Sequence, residues 1–412
     1  MDLARLSGDP SSPVETPPVR TWERAREIAR TTPGHALPAV ERDLPDALGH
    51  ALAGDLTARA DLPAFDTAAM DGWAVAGAGP WRVRDGRVLA GDRAGPLAEG
   101  TALGIATGAE LPPGATAVLR HEHGLVDEST GILSERAPTP LTAGRDVRPR
   151  GQECRTGQLL VPAGTTVTPA VLGLAAAAGW DRVAVHRRPA VELLVLGDEL
   201  LDTGPPRGGR VRDALTPMLG PWLRCGSEPL GSHRVPDDAA RLRDAISGSS
   251  ADVVITTGGT AAGPTDFLHR VLAELGARLL VDSVAVRPGH PMLLAALPPT
   301  ADGRSRWLAG LPGNPLAAVA GLVTLVHPLL SRLGGRADEG AQRLTAAADL
   351  PGHPRSTRLL PVAVRAGAAT ALSHDGPAML RGLARSDGLA VVPPGGLPAG
   401  ATVEVFAVPH PW

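Results

Sequence analysis

The 412 residues include no lysine and no tyrosine, a single asparagine (Asn314), two cysteines (Cys154 and Cys225) and three phenylalanines. Without lysine there is no Walker A phosphate loop, no Schiff base and no lysine general base. Two cysteines build neither a disulfide framework nor a cysteine zinc site. Charge of one sign is also missing, since 40 basic and 43 acidic side chains give a net charge of −3. That balance excludes the electrostatic footprint of a nucleic-acid or anionic-membrane partner. The leading MDLARLSGDPSSPVETPP lacks the apolar run of a signal peptide. The most apolar stretch, Leu316 to Val326, reads as broken by His327 and Pro328, short of the ~18 residues of a membrane span. A soluble, cytoplasmic protein is expected. Lysine, asparagine and tyrosine share AT-rich codons, so a GC-rich genome accounts for their scarcity, and against that bias a solitary Asn314 calls for a local reason.

The length predicts about two to four domains. Proline and glycine are spread along the chain and mark turns; only the first ~18 residues read as a flexible arm. Leucines 44, 48, 52 and 56 form an i, i+4 stripe that predicts a helix over Leu44–Leu56. From Trp81 to Val161, short β-like pieces bounded by Gly, Pro or Asp predict a small all-β module. TPAVLGLAAAAG, from Thr168, reads as a helix closed by Gly179. Beyond Arg188 strands alternate with helices: VELLVLG, AARLRDAI, DVVITTGG, TDFLHRVLAELG with Thr265 as its N-cap, then SRWLAG, a tight loop and an apolar helix. This alternation predicts a doubly wound parallel sheet. After Gly334 the helix-poor tail reads as a C-terminal β-domain.

Ligands of an open parallel sheet bind beyond the carboxyl ends of its strands. Three segments fall there: Gly197-Asp198-Glu199, Thr257-Gly258-Gly259-Thr260 and Gly310-Leu311-Pro312-Gly313-Asn314-Pro315. Their glycines let backbone N–H groups approach an anion. Asn314 is placed to cap the following helix, with Pro315 at its first position, or to serve a ligand, and the two roles are compatible. Asp198, Glu199, Asp213, Asp237 and Asp266 share that edge. Each alone suits a turn or cap; as a set beside phosphate-binding glycines they suit Mg²⁺. His121, Glu122 and His123 would place two imidazoles on one strand face, too few for a metal site without distant partners. Phe65-Asp66-Thr67-Ala68-Ala69-Met70-Asp71-Gly72-Trp73-Ala74, with two carboxylates and two aromatics, is not explained by composition.

Taken together, these segments resemble the molybdopterin molybdenumtransferase family, the bacterial MoeA proteins and the gephyrin E domain. FDTAAMDGWAV is similar to the family signature, ATGAELPPGATAV to the segment bearing its active-site threonine (here Thr107), and DVRPRGQE to its arginine-rich turn (here Arg148). LGDEL, VPDD, TTGGTAAGPTDF and GLPGNP follow in family order. The resemblance, over roughly Asp43 to Pro394, implies a multidomain α/β fold: an elongated discontinuous domain (1–60 plus 150–185), an inserted β-domain (61–149), a doubly wound molybdopterin-binding domain (186–333) and a C-terminal β-barrel (334–412). It implies Mg²⁺-dependent insertion of molybdate into adenylylated molybdopterin with release of AMP, in a homodimer whose Asp71 reaches the partner's site. Molybdopterin adenylyltransferase and molybdenum enzymes are the implied further partners. The implied catalytic residues are Asp71, Thr107, Arg148, Glu199, Asp237, Asp266 and Arg287, with Glu199, Asp237 and Asp266 at the metal. Gly258, Gly259, Gly263, Gly310, Pro312, Gly313, Asn314 and Pro315 are the implied ligand-binding positions. The family's K-P-G-K-P is Arg287-Pro288-Gly289-His290-Pro291 here, a lysine four residues earlier falls on Ser283, a serine falls on Pro377, and an arginine near Leu360 is absent. Two readings stay open: a metal-inserting enzyme, or a paralog that binds molybdopterin or its nucleotide without inserting metal.

Overall fold

The computed structural model describes residues 17–260, 267–337 and 340–408; the first sixteen residues of the expected arm lie outside them. Helix α1 (Trp22–Thr31) starts at Thr21, whose hydroxyl accepts the Arg24 N–H. It buries Trp22, Ala25 and Ala29, one helical face. The Trp22 indole N–H donates to the Thr324 hydroxyl, so α1 is pinned to the α/β part of the molecule.

Strand Ala39–Asp43 pairs antiparallel with Arg182–His186, and Leu56–Thr57 with Leu159–Val161. Segments more than 100 residues apart in sequence thus form one unit. Helix α2 (Pro169–Ala177) completes it, with the Thr168 hydroxyl accepting the Val171 N–H and Gly179 leaving the helix at φ +92°. The expected helix over Leu44–Leu56 is not formed: Leu44–Ala47 is a 3₁₀ turn, and the chain then runs extended past Thr166 and Val185. Pro45 follows the first leucine, and Gly49 adopts φ +72°, a left-handed conformation that ends helices. Leu52 and Leu56 are buried against Val167, Val183 and Val185, whereas Leu48 is exposed. The apolar stripe was fulfilled by distant strands, not by a helix face.

Between the two arms sits a six-stranded sheet, in spatial order Ala117–Arg120, Gly72–Val75, Thr101–Ile105, Trp81–Val88, Ile132–Glu135 and Gly124–Asp127. Both faces are covered, one around Leu103, Ile105 and Val118, the other around Trp81, Leu119 and Leu133. His121–His123 forms a 3₁₀ turn, so the two imidazoles do not share a strand face.

The α/β domain has strands in the order Glu228–Val235, Ala190–Leu196, Val253–Thr257, Arg306–Leu311, Leu293–Leu297 and Arg278–Asp282. The first four are parallel and the last two add antiparallel. Helices α3 (Leu215–Arg224), α4 (Ala239–Gly248), α5 (Leu268–Glu274), α6 (Pro315–Gly321) and α7 (His327–Leu333) flank it. Asp238 caps α4 by accepting the Arg241 N–H. The position before α5 is Phe267, without a side-chain cap; Thr265, expected there, lies outside the described residues. His327-Pro328 does not break the last helix. A π-turn over Leu322–Val326 joins α6 to α7, and the His327 N–H reaches back to Leu322 O. The wider turn accommodates a proline that cannot donate to an α-helical ladder. Pro315–Leu333 is therefore long and apolar enough to cross a bilayer, but 83% of that window is buried inside the protein.

Strands Gln342–Ala346, Thr357–Arg365, Ala368–Ala371, Gly388–Val392 and Thr402–Ala407 close into a five-stranded barrel around Leu360, Val362, Val392, Val403 and Val405. Val286–Arg287, from the α/β domain, pairs parallel with Thr357–Arg358 of the barrel wall and ties the two together.

Candidate functional site

Three sequence-distant segments converge on the inserted module. The Asp71 carboxylate accepts the Thr107 N–H at 2.9 Å and Arg87 Nη2 at 3.2 Å. The Asp71 carbonyl accepts the His121 N–H. Arg148 lies opposite Thr67 in a two-residue ladder, and the Ala69 N–H donates to Asp146 O. Asp146 holds φ +54° and takes Arg120 in a two-pronged ion pair, 2.8 Å at each oxygen. The hydrogen bonds from Arg120 hold the Asp146 carboxyl below the usual carboxylate range. Gly72 is obligatory: a Cβ there would lie 2.0 Å from Leu119 O, because its strand passes hard against Ala117–Arg120. Asp71, Thr107 and Arg148 are thus brought onto one module. None of the bonds that hold them reaches the α/β domain.

A second group forms at the carboxyl edge of the parallel sheet. Gly258 (φ +86°) and Gly259 (φ +67°) leave Val253–Thr257, and the Gly258 N–H donates to Leu311 O. A Cβ on Gly313 would stand 3.7 Å from Gly258 Cα, so the two glycine loops touch. Gly310 has a packing role, with Leu293, Thr260 and Leu268 filling the space of a side chain. Glu199 folds its carboxylate back over Gly197, where a Cβ would clash with it at 2.6 Å. Asp237 accepts the Asp198 N–H at 3.3 Å. Asp213 accepts the Leu215 and Thr216 N–H groups and starts α3. Asp266 and Gly263 lie outside the described residues. Among the described residues no three His, Cys, Asp or Glu side chains are gathered around a metal position. The carboxylates of Glu199 and Asp237 are hard oxygen donors of the kind Mg²⁺ takes, but they would leave most of its ligands to water and substrate phosphate.

Asn314 takes the cap position of α6, with Pro315 first in the helix, but its side chain makes no capping bond. The orphan donors of that turn go elsewhere: the Leu316 and Ala317 N–H groups donate to Pro377 O at 2.9 and 3.3 Å. Those two N–H groups, the first free donors of the helix, are spent on the barrel. Asn314 instead lines a cavity of about 420 Å³ between the α/β domain and the barrel, with Arg287, His290, Pro312, His353, Arg358 and Asp375 among its walls. Three departures from the family pattern, at Arg287, His290 and Pro377, border this one cavity. His290 is oriented by a 2.7 Å contact from Nδ1 to Val284 O. Ser283 holds φ +70° beside it in the chain turn, and its N–H donates to Met292 O. Arg358 and Asp375 were not singled out from sequence. Arg358 stands 71 residues from Arg287, and only the strand pairing between domain and barrel reveals that they meet.

Comparison with known proteins agrees with this architecture along the chain. Residues 20–179 match the MoeA N-terminal region (domain I and II), 192–332 a probable molybdopterin binding domain, and 343–408 the MoeA C-terminal region (domain IV). A molybdopterin molybdenumtransferase of Haemophilus influenzae is 32% identical over 314 residues, 71% of this chain and 72% of that one. One of Synechococcus elongatus is 34% identical over 296 residues, 68% and 72%. The crystal structure of a molybdopterin biosynthesis MoeA protein of Pyrococcus horikoshii superposes with a TM-score of 0.72 at 27% identity, covering 94% of this chain and 99% of that one. Matched along its length by these three regions and by relatives more than 30% identical, the chain belongs to the molybdopterin molybdenumtransferases, enzymes of molybdenum cofactor biosynthesis.

Proposed function

We propose that the protein acts in the cytoplasm as a homodimer that inserts molybdate into adenylylated molybdopterin and releases AMP, with Mg²⁺ required. The observation that carries the reading is the contact of two glycine loops at the carboxyl edge of the sheet, one of which also borders an arginine-bearing cavity through Pro312 and Asn314. Glycine loops with left-handed φ present N–H groups to phosphate. Arg287 and Arg358 offer forked donors to tetrahedral oxyanions. Glu199, Asp237 and Asp266 are the residues that would hold Mg²⁺, which would supply positive charge beside the substrate phosphates. Asp71 keeps Thr107 in place through its carboxylate and, with Arg148, is offered to the site of a second subunit.

A second reading, binding without insertion, is favoured by one observation: two of the three positions where lysines of the family pattern are replaced, Arg287 and His290, line the cavity. Incubation with adenylylated molybdopterin, molybdate and Mg²⁺ separates the two. The enzyme reading expects AMP release and active cofactor, with Glu199→Ala reducing turnover ~10²-fold, the scale of one lost electrostatic group. Tight binding of the nucleotide with neither product would establish the carrier.

A further inference from the structure

Arg87 lies on strand Trp81–Val88, two strands away from Asp71. Strand Thr101–Ile105 runs between it and Gly72–Val75, the strand that follows Asp71. Neighbouring strands are about 4.8 Å apart, so Arg87 has to span roughly 10 Å of sheet to meet the Asp71 carboxylate. It does meet it, with Nη2 donating to Asp71 Oδ1 at 3.2 Å. Two features of the sheet allow that reach. The first is a bulge: Arg84 pairs with Leu103 and Arg87 with the next residue, Gly104, so Asp85 and Gly86 are extra, and Gly86 turns at φ +101°. Bulges bend a strand and re-aim its side chains, and they are over-represented beside active sites. The second is Gly104. A Cβ there would lie 3.2 Å from Gly86 O and 3.4 Å from Arg87 Cγ, so the bulge and the arginine stem occupy the place of a side chain.

Stability does not account for this construction. The two side chains are 56% and 60% exposed, and an ion pair so exposed adds little to the fold. What the contact fixes is an orientation. Asp71 Oδ1 also accepts the Thr107 N–H at 2.9 Å, so one oxygen is held from two directions. Among the described residues the other oxygen, Oδ2, accepts no hydrogen bond. We propose that Arg87 is a positioning residue: together with the Thr107 N–H it anchors the Asp71 carboxylate by Oδ1 and leaves Oδ2 as the atom offered to a second subunit. The inference rests on the proposed homodimeric transferase, in which Asp71 serves the partner's site. Arg87 acts there through Asp71, not on the substrate.

Two readouts on the full chain test it, and one is independent of turnover. The first is hydrogen exchange at the Thr107 amide. Asp71→Ala removes the acceptor and sets the unprotected rate. Arg87→Gln frees the carboxylate and should speed exchange about 3-fold towards that rate, the scale of one exposed ion pair. Added to Asp71→Ala, Arg87→Gln should change nothing further, which separates positioning from a direct field of the guanidinium on the amide. Arg82→Gln, an exposed arginine of the same strand, changes net charge equally and should exchange like wild type. The second readout is AMP release. Arg87→Gln should lower kcat ~10-fold at unchanged KM and melting temperature, as a displaced catalytic group does, and Arg87→Lys should recover part of the loss. Wild-type exchange or wild-type kcat in Arg87→Gln, an equal acceleration in Arg82→Gln, or a further change in the double variant overturns the proposal. Any of these beside normal wild-type turnover keeps the reaction and loses the positioning role. A wild type that releases no AMP refutes the transferase reading alone, and the exchange comparison still decides whether Arg87 holds Asp71.

Discussion

Asn314 occupies a capping position and makes no cap, which separates two roles that its sequence context leaves merged. Because Pro377 O takes the first-turn donors, Asn314→Ala should change stability by less than about 0.5 kcal/mol, the range of an ordinary surface change. A true cap would cost about 1 kcal/mol. Asn314→Asp places a negative charge in the wall of the anion cavity and should weaken molybdate several-fold at an unchanged melting temperature. Thermal melts beside titrations decide it; a 1 kcal/mol loss in the alanine variant with unaltered affinity in the aspartate variant would restore the cap. A lone asparagine in a sequence otherwise without one drew attention to the position. It could not reveal that the helix start is satisfied by a carbonyl more than sixty residues away.

The strands of the α/β domain have a functional end and a structural end, and substitutions should respect the difference. Asp252, only 1% exposed, precedes strand Val253–Thr257 and binds both Arg187 nitrogens at 2.9 Å and the Ala190 N–H at 2.7 Å. Its removal leaves Arg187 without its partner, an effect of about 3–5 kcal/mol for buried pairs. Five residues of strand put it about 16 Å from the carboxyl edge. Asp252→Ala should therefore lower the urea midpoint strongly while the folded fraction titrates molybdate normally; lost affinity at normal stability would contradict that division. At the root of the inserted module, Asp61 accepts the Thr156 N–H and hydroxyl and Arg150 Nε, and these contacts lower its pKa from 3.8 to about 2. A depressed carboxyl pKa stabilises the fold above its unfolded value and loses that contribution as pH falls through the folded value. The stability gap between wild type and Asp61→Asn, from urea unfolding, should be full at pH 5 and shrink towards pH 2; a gap constant across that range would refute the linkage. Elements of this kind were legible to different degrees. Apolar runs ending in glycine located the parallel strands, because buried parallel strands need that composition. The leucine stripe at 44–56 misled, since periodicity does not say whether a helix face or separate strand contacts will bury it, and here only Leu52 and Leu56 are buried. Pro328 misled too, because a π-turn absorbs what a regular helix could not.

At the scale of the whole molecule, one chain carries its family-signature segments in two places: Asp71, Thr107 and Arg148 on the inserted module, Glu199, Asp237 and the glycine loops on the α/β domain. The order of segments along the sequence made both groups legible. Their division between modules, and the arginine pair that joins α/β domain to barrel, required the three-dimensional pairing. In the proposed homodimer Asp71 of one subunit would reach the site that holds Glu199 of the other. Differently tagged Asp71→Ala and Glu199→Ala chains, co-expressed and purified as the mixed species population, test this most directly through AMP release with adenylylated molybdopterin, molybdate and Mg²⁺. Random pairing makes half the dimers mixed, each with one intact site, so the account predicts about a quarter of wild-type turnover, against near-silence for either variant alone. Turnover in the mixture no higher than in the two single variants would contradict it.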